Sequence, residues 1–490
     1  MSYKDIRTWL SLVERDGELK KLHGVSWDLE MSGLTEILYR EGKRPVPALL
    51  FDDIPGYPLG YRTLFGMLSS PRRLCSALCL PVSEDASVGL RAWREKLRGL
   101  KPIPPKTMAS GSSQENQITG DSINLYSFPS PRFHESDGGR YIGTGCSVIV
   151  KDPDTEWVNL GTYRCMLVDS KHLALHMLEG QHGRLICDKY FSRKQVMPVA
   201  VAIGIDPVLL FLSGERLVPS GISEYDYAGG IKGEPIEVIK GAYTGLPLPA
   251  SAEILIEGEC HPDDLVEEGP FGEWHGYYAN MGLSPVPEPV MRVRRILYRS
   301  APILTCSHPS VPPSEMSFWS CMSRAASIWD RLERFGIPGI QSVWCHEEGG
   351  GQLFTVVSVR QMYAGHSKRV GLVTSQANPT GSRYTIVVDD DIDPSNLSQV
   401  VWAVVTRSDP ERSTHILSGC AASASDPIVP LAQKKKEKGE IKSFYCSRAV
   451  IDACQPFEHR NEWYPVAKIS PSLREQLLSK WGNTLRELCP

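Results

Sequence analysis

No stretch of the 490 residues approaches the roughly 20 uninterrupted apolar residues that a membrane-spanning helix needs. The opening segment MSYKDIRTWLSLVERDG also lacks an apolar core of the signal-peptide kind, since its apolar residues alternate with charges. A cytoplasmic location is therefore expected. Net charge is small, with 53 Lys and Arg against 57 Asp and Glu, a formal −4. That removes any long-range electrostatic reason to expect nucleic acid or an anionic membrane as partner. Paired cysteines are missing too: the 13 present are scattered singly. The nearest pair, Cys75 and Cys79, has no second pair or histidine cluster to complete a zinc site, so reduced thiols are expected. There is no G-x-S-x-G elbow, no P-loop, no dinucleotide fingerprint after a strand and no internal repeat.

What is present is an ordinary globular composition, 41% hydrophobic and 22% charged, on a chain too long for one simple core. Two or three domains are the prior. Tyr3 to Asp16 reads as an amphipathic helix with Ile6, Trp9, Leu10 and Val13 on one face and Gly17 closing it. PALLFDDI reads as a strand, and the Pro- and Ser-rich stretch from Leu100 to Gln117 as a connector. From there to about Arg299 the pattern is mostly β, with CSVIVKD, WVNLGTYRCMLVD, HLALHML, PVAVAIGID, AEILIEGE and VMRVRRILYR as short strands. Short strands without regularly interleaved helices predict a barrel or sandwich. After Cys306 the pattern turns to α/β: a helix over SEMSFWSCMSRAASIWDRLERFG, a hairpin across the three glycines of EEGGGQ, a helix over AGHSKRVGLVTSQA, and the strand YTIVVDDDID. A helix from Pro394 follows, with Asp393 as its N-cap. The Lys-rich AQKKKEKGEIK reads as a solvated loop. The chain ends in a helix with a stripe of Leu473, Leu477, Leu478, Trp481 and Leu485, which packs on its own core or on a neighbouring subunit.

Chemistry concentrates in VEEGPFGEWHGYY, Val266 to Tyr278. Gly-Pro-Phe-Gly forces a turn between Glu268 and Glu273, so both carboxylates can face one cavity. Two such acids cannot both ionise cheaply unless a cation intervenes, and an acid beside an ionised partner is an arrangement for proton delivery. A surface turn whose glutamates face water accounts for the pair as well. A second concentration is NLGTYR, Asn159 to Arg164, read as one strand. Alternation puts those two residues on opposite faces unless Gly161 supplies a bulge. His182 in EGQHGR and Glu224 in SGISEYDYAGG complete, with Asn159, an oxygen and nitrogen set suited to Mn²⁺ or Mg²⁺. Their separations carry no ligand-spacing signal, and each alone is as readily an ordinary polar residue.

In this order and spacing NLGTYR, QH, SEYDYAG and EGPFGEWHGYY resemble the UbiD-like decarboxylases. TYRCMLVDSKHLALHM and the His after EGPFGEW are closer to the ferulic acid decarboxylase type. The resemblance runs over nearly the whole chain. It implies an α+β architecture: a cofactor-binding unit over 1–305 with a split β-barrel from about 118, an α/β oligomerisation domain over 306–450, and a C-terminal segment and helix over 451–490. It implies prenylated FMN made by a partner flavin prenyltransferase, with Mn²⁺ and K⁺ beside its phosphate. Asn159, His182 and Glu224 would ligate the metal, and Thr162, Tyr163, Arg164 and Gln181 would line the cofactor. Arg164, Glu268 and Glu273 would form the catalytic network, Glu273 being the proton donor. The implied activity is reversible, non-oxidative decarboxylation of an aromatic, heteroaromatic or α,β-unsaturated acid by a homodimer or hexamer. An FMN-dependent oxidoreductase on a split barrel and a non-catalytic flavin-binding protein are the alternatives. Trp274 departs from the Phe or Met common at that position. Phe318 and Trp319 lie where substrate contacts vary and are equally readable as helix core.

Overall fold

The computed structural model describes residues 3–215, 217–278, 287–378, 380–423, 425–434 and 444–488. The first helix, Ile6–Arg15, begins at an Asp5 cap that accepts from the Thr8 amide, and it buries Ile6, Trp9, Leu10 and Val13 as expected. Each such side chain contributes about 1.5–3 kcal/mol, an upper bound because unfolded chains already bury some surface. The helix lies against a four-stranded sheet ordered Leu19–His23, Ala48–Asp52, Arg62–Phe65 and Ile303–Thr305. The fourth strand arrives from beyond the whole central region. Long-range pairing thus ties the first 65 residues to residues 303–305.

The central region is a nine-stranded sheet. Its strands run in the spatial order Tyr141–Gly143, Arg164–Leu167, His172–His176, Pro287–Tyr298, Ile254–Glu267, Met197–Ile203, Cys146–Lys151 and Val158–Gly161, with Asn116–Thr119 also pairing on Pro287–Tyr298. Val158–Gly161 is one end of this order and Arg164–Leu167 is one strand from the other. Two residues, Thr162 and Tyr163, join them. Two residues reach no more than about 10 Å between flanking Cα atoms, so the sheet must curl until its ends meet. They meet without pairing to each other, which makes a barrel split at this point. NLGTYR is therefore not one strand with a bulge: the chain leaves one edge of the sheet at Gly161 and enters, at Arg164, the strand next to the other edge.

Three helices that strand patterning did not anticipate interrupt this region: His182–Ser192, Pro207–Gly214 and Glu224–Lys232. The second and third are short, at 8 and 9 residues, and the apolar residues of the first and third alone do not distinguish them from loops. The C-terminal sheet follows the expected α/β pattern, in the order Ile340–Cys345, Phe354–Val359, Tyr384–Asp389, Tyr445–Ala453 and Thr414–Ala421. Its helix after DDDID begins later than expected, at Leu397. Asn396 is the N-cap and accepts from the Gln399 amide, while Asp393 spends its carboxylate on the Ser395 amide and hydroxyl. The long helix Glu315–Arg334 joins the units. Phe318 and Trp319 lie in the same hydrophobic core as Trp9, Phe211 and Val343.

No disulfide occurs among the described residues, in which 12 cysteines are free. No described helix is long and apolar enough to cross a membrane. Most of the Lys-rich stretch, residues 435–443, lies outside the described residues. On the final helix, Pro471–Leu488, Leu473, Leu477, Leu478, Trp481 and Leu485 are all exposed, from 37% to 49%. The stripe does not belong to this chain's own core.

Candidate active site

The barrel's split places Arg164 at the start of a strand, where its side chain leaves the sheet beside the EGPFGEW turn. The strand Ile254–Glu267 ends one residue before Glu268. Gly269 then takes φ +90°, a conformation that side chains resist, and the chain turns back. Glu273 opens a second turn, closed by the bond from the Gly276 amide to the Glu273 carbonyl at 2.8 Å. The two acids arrive on either side of one guanidinium. Arg164 donates Nε to Glu268 Oε1 at 2.8 Å and Nη2 to Glu268 Oε2 at 2.7 Å, while Nη1 donates to Glu273 Oε1 at 3.0 Å. All three side chains are largely buried, at 12%, 2% and 13% exposure. The turn is thus not a surface turn facing water.

The two contacts differ in kind. Glu268 takes the forked, two-bond grip that fixes geometry, whereas Glu273 meets the arginine through one oxygen. Burial pulls the Glu268 carboxyl upward, but the Arg164 hydrogen bonds and charge outweigh it and hold the group below its ordinary range. Burial also works against the Arg164 charge, and the two glutamates more than reverse that, holding it protonated.

Residues that sequence reasoning passed over complete the surroundings. Phe271 lies under the guanidinium, 4.8 Å from ring centre to Cζ, with Tyr141 against it at 4.2 Å between rings. The Tyr141 hydroxyl is buried beside Glu268, and burial, then the Glu268 charge, pushes its phenol far up. His176 stands directly across from Arg164 in the neighbouring strand. Its Nδ1 meets Glu288 Oε1 at 2.7 Å and lies 3.7 Å from Glu268 Oε2. A signal for it was present in HLALHML: alternation places His172, Ala174 and His176 on one face.

On the other side of the crossover, Asn159, Tyr163, His182 and Glu224 come together. His182 is the first residue of its helix, with Gln181 as N-cap, and Glu224 is the first of another, behind Ser223. Both helices lie on the strand that carries Asn159. Glu224 Oε1 accepts from Asn159 Nδ2 at 3.1 Å and Oε2 from the Leu160 amide at 2.7 Å. The Tyr163 hydroxyl donates to Asn159 Oδ1 at 3.1 Å and accepts from the Gly183 amide at 2.8 Å, tying the crossover to the His182 helix. The His182 ring is 5.0 Å from that of Trp157, whose Nε1 donates to the Ile222 carbonyl two residues before Glu224. Burial pushes the Glu224 carboxyl up to about 7, and neither of those two donors carries a charge to offset it. An amide oxygen, an imidazole and a buried carboxylate lacking a cation fit a divalent ion that prefers oxygen and nitrogen. Two helix N-termini at the same place suit an anion held with it.

Of the other expected cofactor residues, Thr162 donates its hydroxyl to the Cys146 carbonyl and Gln181 accepts from the Leu178 amide. Trp274 packs on the C-terminal unit: a Cβ on Gly350 would lie 2.5 Å from its ring. His275 anchors the same loop through Nε2 to the Ser425 carbonyl at 2.7 Å.

The Tyr163 ring fixes a testable detail. A Cβ on Gly183 would lie 2.4 Å from it, and one on Gly161 2.3 Å. Replacing a helical glycine with alanine ordinarily stabilises by about 0.5–1 kcal/mol. Gly183→Ala is expected to do the reverse, lowering the melting temperature. An alanine variant at least as stable as the parent would refute this account.

In sequence, the chain matches the 3-octaprenyl-4-hydroxybenzoate carboxy-lyase family in three parts: the N-terminal domain over residues 10–88, the Rift-related domain over 106–312 and the C-terminal domain over 318–453. The chain belongs to this family of carboxy-lyases, the UbiD family. It is 33% identical over 423 residues to pyrrole-2-carboxylic acid decarboxylase of Pseudomonas aeruginosa, covering 83% of each chain. Among solved structures it is similar to the open form of vanillic acid decarboxylase from Sedimentibacter hydroxybenzoicus, with a TM-score of 0.83, 24% identity and 100% of both chains covered. It is also similar to the UbiD-class enzyme HmfF of Pelotomaculum thermopropionicum in complex with FMN, with a TM-score of 0.84 and 24% identity over 97% of this chain and 100% of that one. At that identity the two structures speak for the fold.

Proposed function

We propose that this carboxy-lyase removes CO₂, reversibly and without net oxidation, from an aromatic, heteroaromatic or α,β-unsaturated carboxylic acid, using prenylated FMN. The observation that carries the reading is the Glu268–Arg164–Glu273 cluster, buried at the split of the barrel in a member of this family. An evolved dimeric form of HmfF is known in complex with prenylated FMN, which supports the cofactor by analogy. Asn159, His182 and Glu224 would hold Mn²⁺ against the cofactor phosphate with K⁺ nearby, while Thr162, Tyr163, Arg164 and Gln181 line the flavin. When bound, the prenylated flavin supplies an electron sink for the pair left on carbon as CO₂ departs, chemistry that side chains do not offer.

The protein's own part is to orient and to move one proton. Arg164 receives the substrate carboxylate while Glu268, through its two-bond grip, keeps the guanidinium from swinging. The bond to the carboxyl carbon breaks, CO₂ leaves, and Glu273 delivers a proton to the ring or vinyl carbon that held it. Glu273 then recovers a proton from solvent. Its single contact with Arg164 suits a group that must change protonation state. Phe271 and Tyr141 keep water from the reacting carbon.

The exposed apolar stripe on the final helix supports association with another copy, as a dimer or hexamer. The reading also calls for a flavin prenyltransferase as cofactor supplier, in the cytoplasm. The test is direct. The enzyme, co-produced with a flavin prenyltransferase, is incubated with aromatic and heteroaromatic acids of graded ring size, and CO₂ is measured without any nicotinamide. Release from at least one acid is expected. No release from any, together with NAD(P)H-dependent flavin reduction, would replace the reading with an oxidoreductase.

A further inference from the structure

We propose that Glu36, His134 and His308 form a metal site, separate from the Asn159 group, that takes a borderline divalent transition ion of the Zn²⁺ kind. Glu36 projects from the helix Glu30–Glu41, His134 from the loop after Pro131, and His308 from the segment after the strand Ile303–Thr305. One ligand atom from each lies within 4.8 Å of the others. The Glu36 Oε2 to His134 Nε2 separation is 3.6 Å and the two imidazole rings are 5.2 Å apart between centres. Ligands on a tetrahedral Zn²⁺ stand about 3.4 Å from one another, given bonds of about 2.0–2.2 Å. The set therefore needs a contraction of roughly 1.4 Å at most, within reach of side-chain rotation alone.

Independent features point to a ligand here. His308 is 1% exposed, and its Nε2 is buried with no hydrogen-bond partner. A buried polar atom left so is costly unless something binds it. His134 Nδ1 is likewise buried with no hydrogen-bond partner; Asp137 Oδ2 lies 3.9 Å from it, beyond hydrogen-bond reach, and is fixed instead by the His134 amide at 3.0 Å, while Asp137 Oδ1 accepts from the Tyr278 hydroxyl at 2.8 Å. Entry is open, since the Glu36 and His134 side chains are 30% and 23% exposed. Two imidazoles and one carboxylate leave a fourth position for water. An ion here would pin three separate segments against Phe133, which meets Phe271, the ring beneath Arg164.

The full-length enzyme and its Glu36→Gln variant are titrated with Zn²⁺ alone against a competing chromophoric chelator. Asn159, His182 and Glu224 are common to both, so the difference between the curves reports only this site. The expected result is one equivalent bound at least tenfold more weakly in the variant, with unchanged melting temperature in EDTA. His134→Gln serves as a second variant with the same expected loss. With Co²⁺ in place of Zn²⁺, the visible absorption of a four-coordinate site should appear in the parent and fade in both variants. Superimposable titrations of parent and variants would overturn the proposal, and His308 would then be a packing residue alone.

Discussion

Glu273→Gln is expected to lower turnover about 10²–10⁴-fold while the flavin stays bound and the melting temperature barely moves. The amide keeps the size of the acid and an oxygen for the Arg164 Nη1 hydrogen bond, now 3.0 Å long. It cannot give up a proton to carbon. A positioned general acid is worth about 10²–10⁴-fold, and no second acid sits beside the arginine to substitute, because Glu268 is held ionised by both of its bonds. Turnover is measured by CO₂ release and by exchange of solvent deuterium into the product analogue, and cofactor retention by absorbance. Near-normal turnover would remove Glu273 from the role of donor.

Arg164→Leu should be the most damaging single change to stability at the site. It strands two buried carboxylates without their cation, and breaking a buried pair in this way costs about 3–5 kcal/mol. Activity is lost with it. The pH dependence discriminates this from a general packing defect. In the parent, the folded-state pKa of Glu268 lies below the ordinary 4.5, so its contribution is complete above that value and is lost as pH falls through the depressed one. In the variant, burial acts on Glu268 against only the lesser effects of His176 and Tyr141, and its folded-state pKa rises. The penalty is then relieved as pH falls, and the stability gap between variant and parent should narrow toward pH 4. Glu268→Gln added to Arg164→Leu should recover part of the loss at pH 7, because one stranded charge is gone. A gap constant with pH, or a double variant no better than the single, would contradict this assignment.

Much of the architecture was legible from local patterning because the relevant forces act locally. The helix Ile6–Arg15, its cap and its buried face follow from a 3.6-residue period and one aspartate. The hairpin Cys146–Lys151 to Val158–Gly161 follows from Pro-Asp-Thr-Glu between two apolar runs. Where local signals compete, the sequence alone does not rank them. Asp393 and Pro394 make a plausible helix start, yet Asn396 three residues on provides the cap, and nothing local ranks the two. His176, Glu288 and Tyr141 went unnoticed for another reason: a lone histidine, glutamate or tyrosine on a strand is ordinary until a partner strand brings an arginine opposite it.

By itself, the order of residues determined the turn at Gly269 and Pro270, the pairing of an acid on each side of it, and the motifs that mark the UbiD family. These depend on backbone preferences a few residues long. Only the tertiary structure decided that Asn159 and Arg164 belong to opposite ends of one curled sheet, that Arg164 grips Glu268 twice and Glu273 once, and that Glu36, His134 and His308 meet at all. Those outcomes depend on closing a nine-stranded sheet on itself, where the contacts of Arg164 with Glu268 and Glu273 span more than a hundred residues.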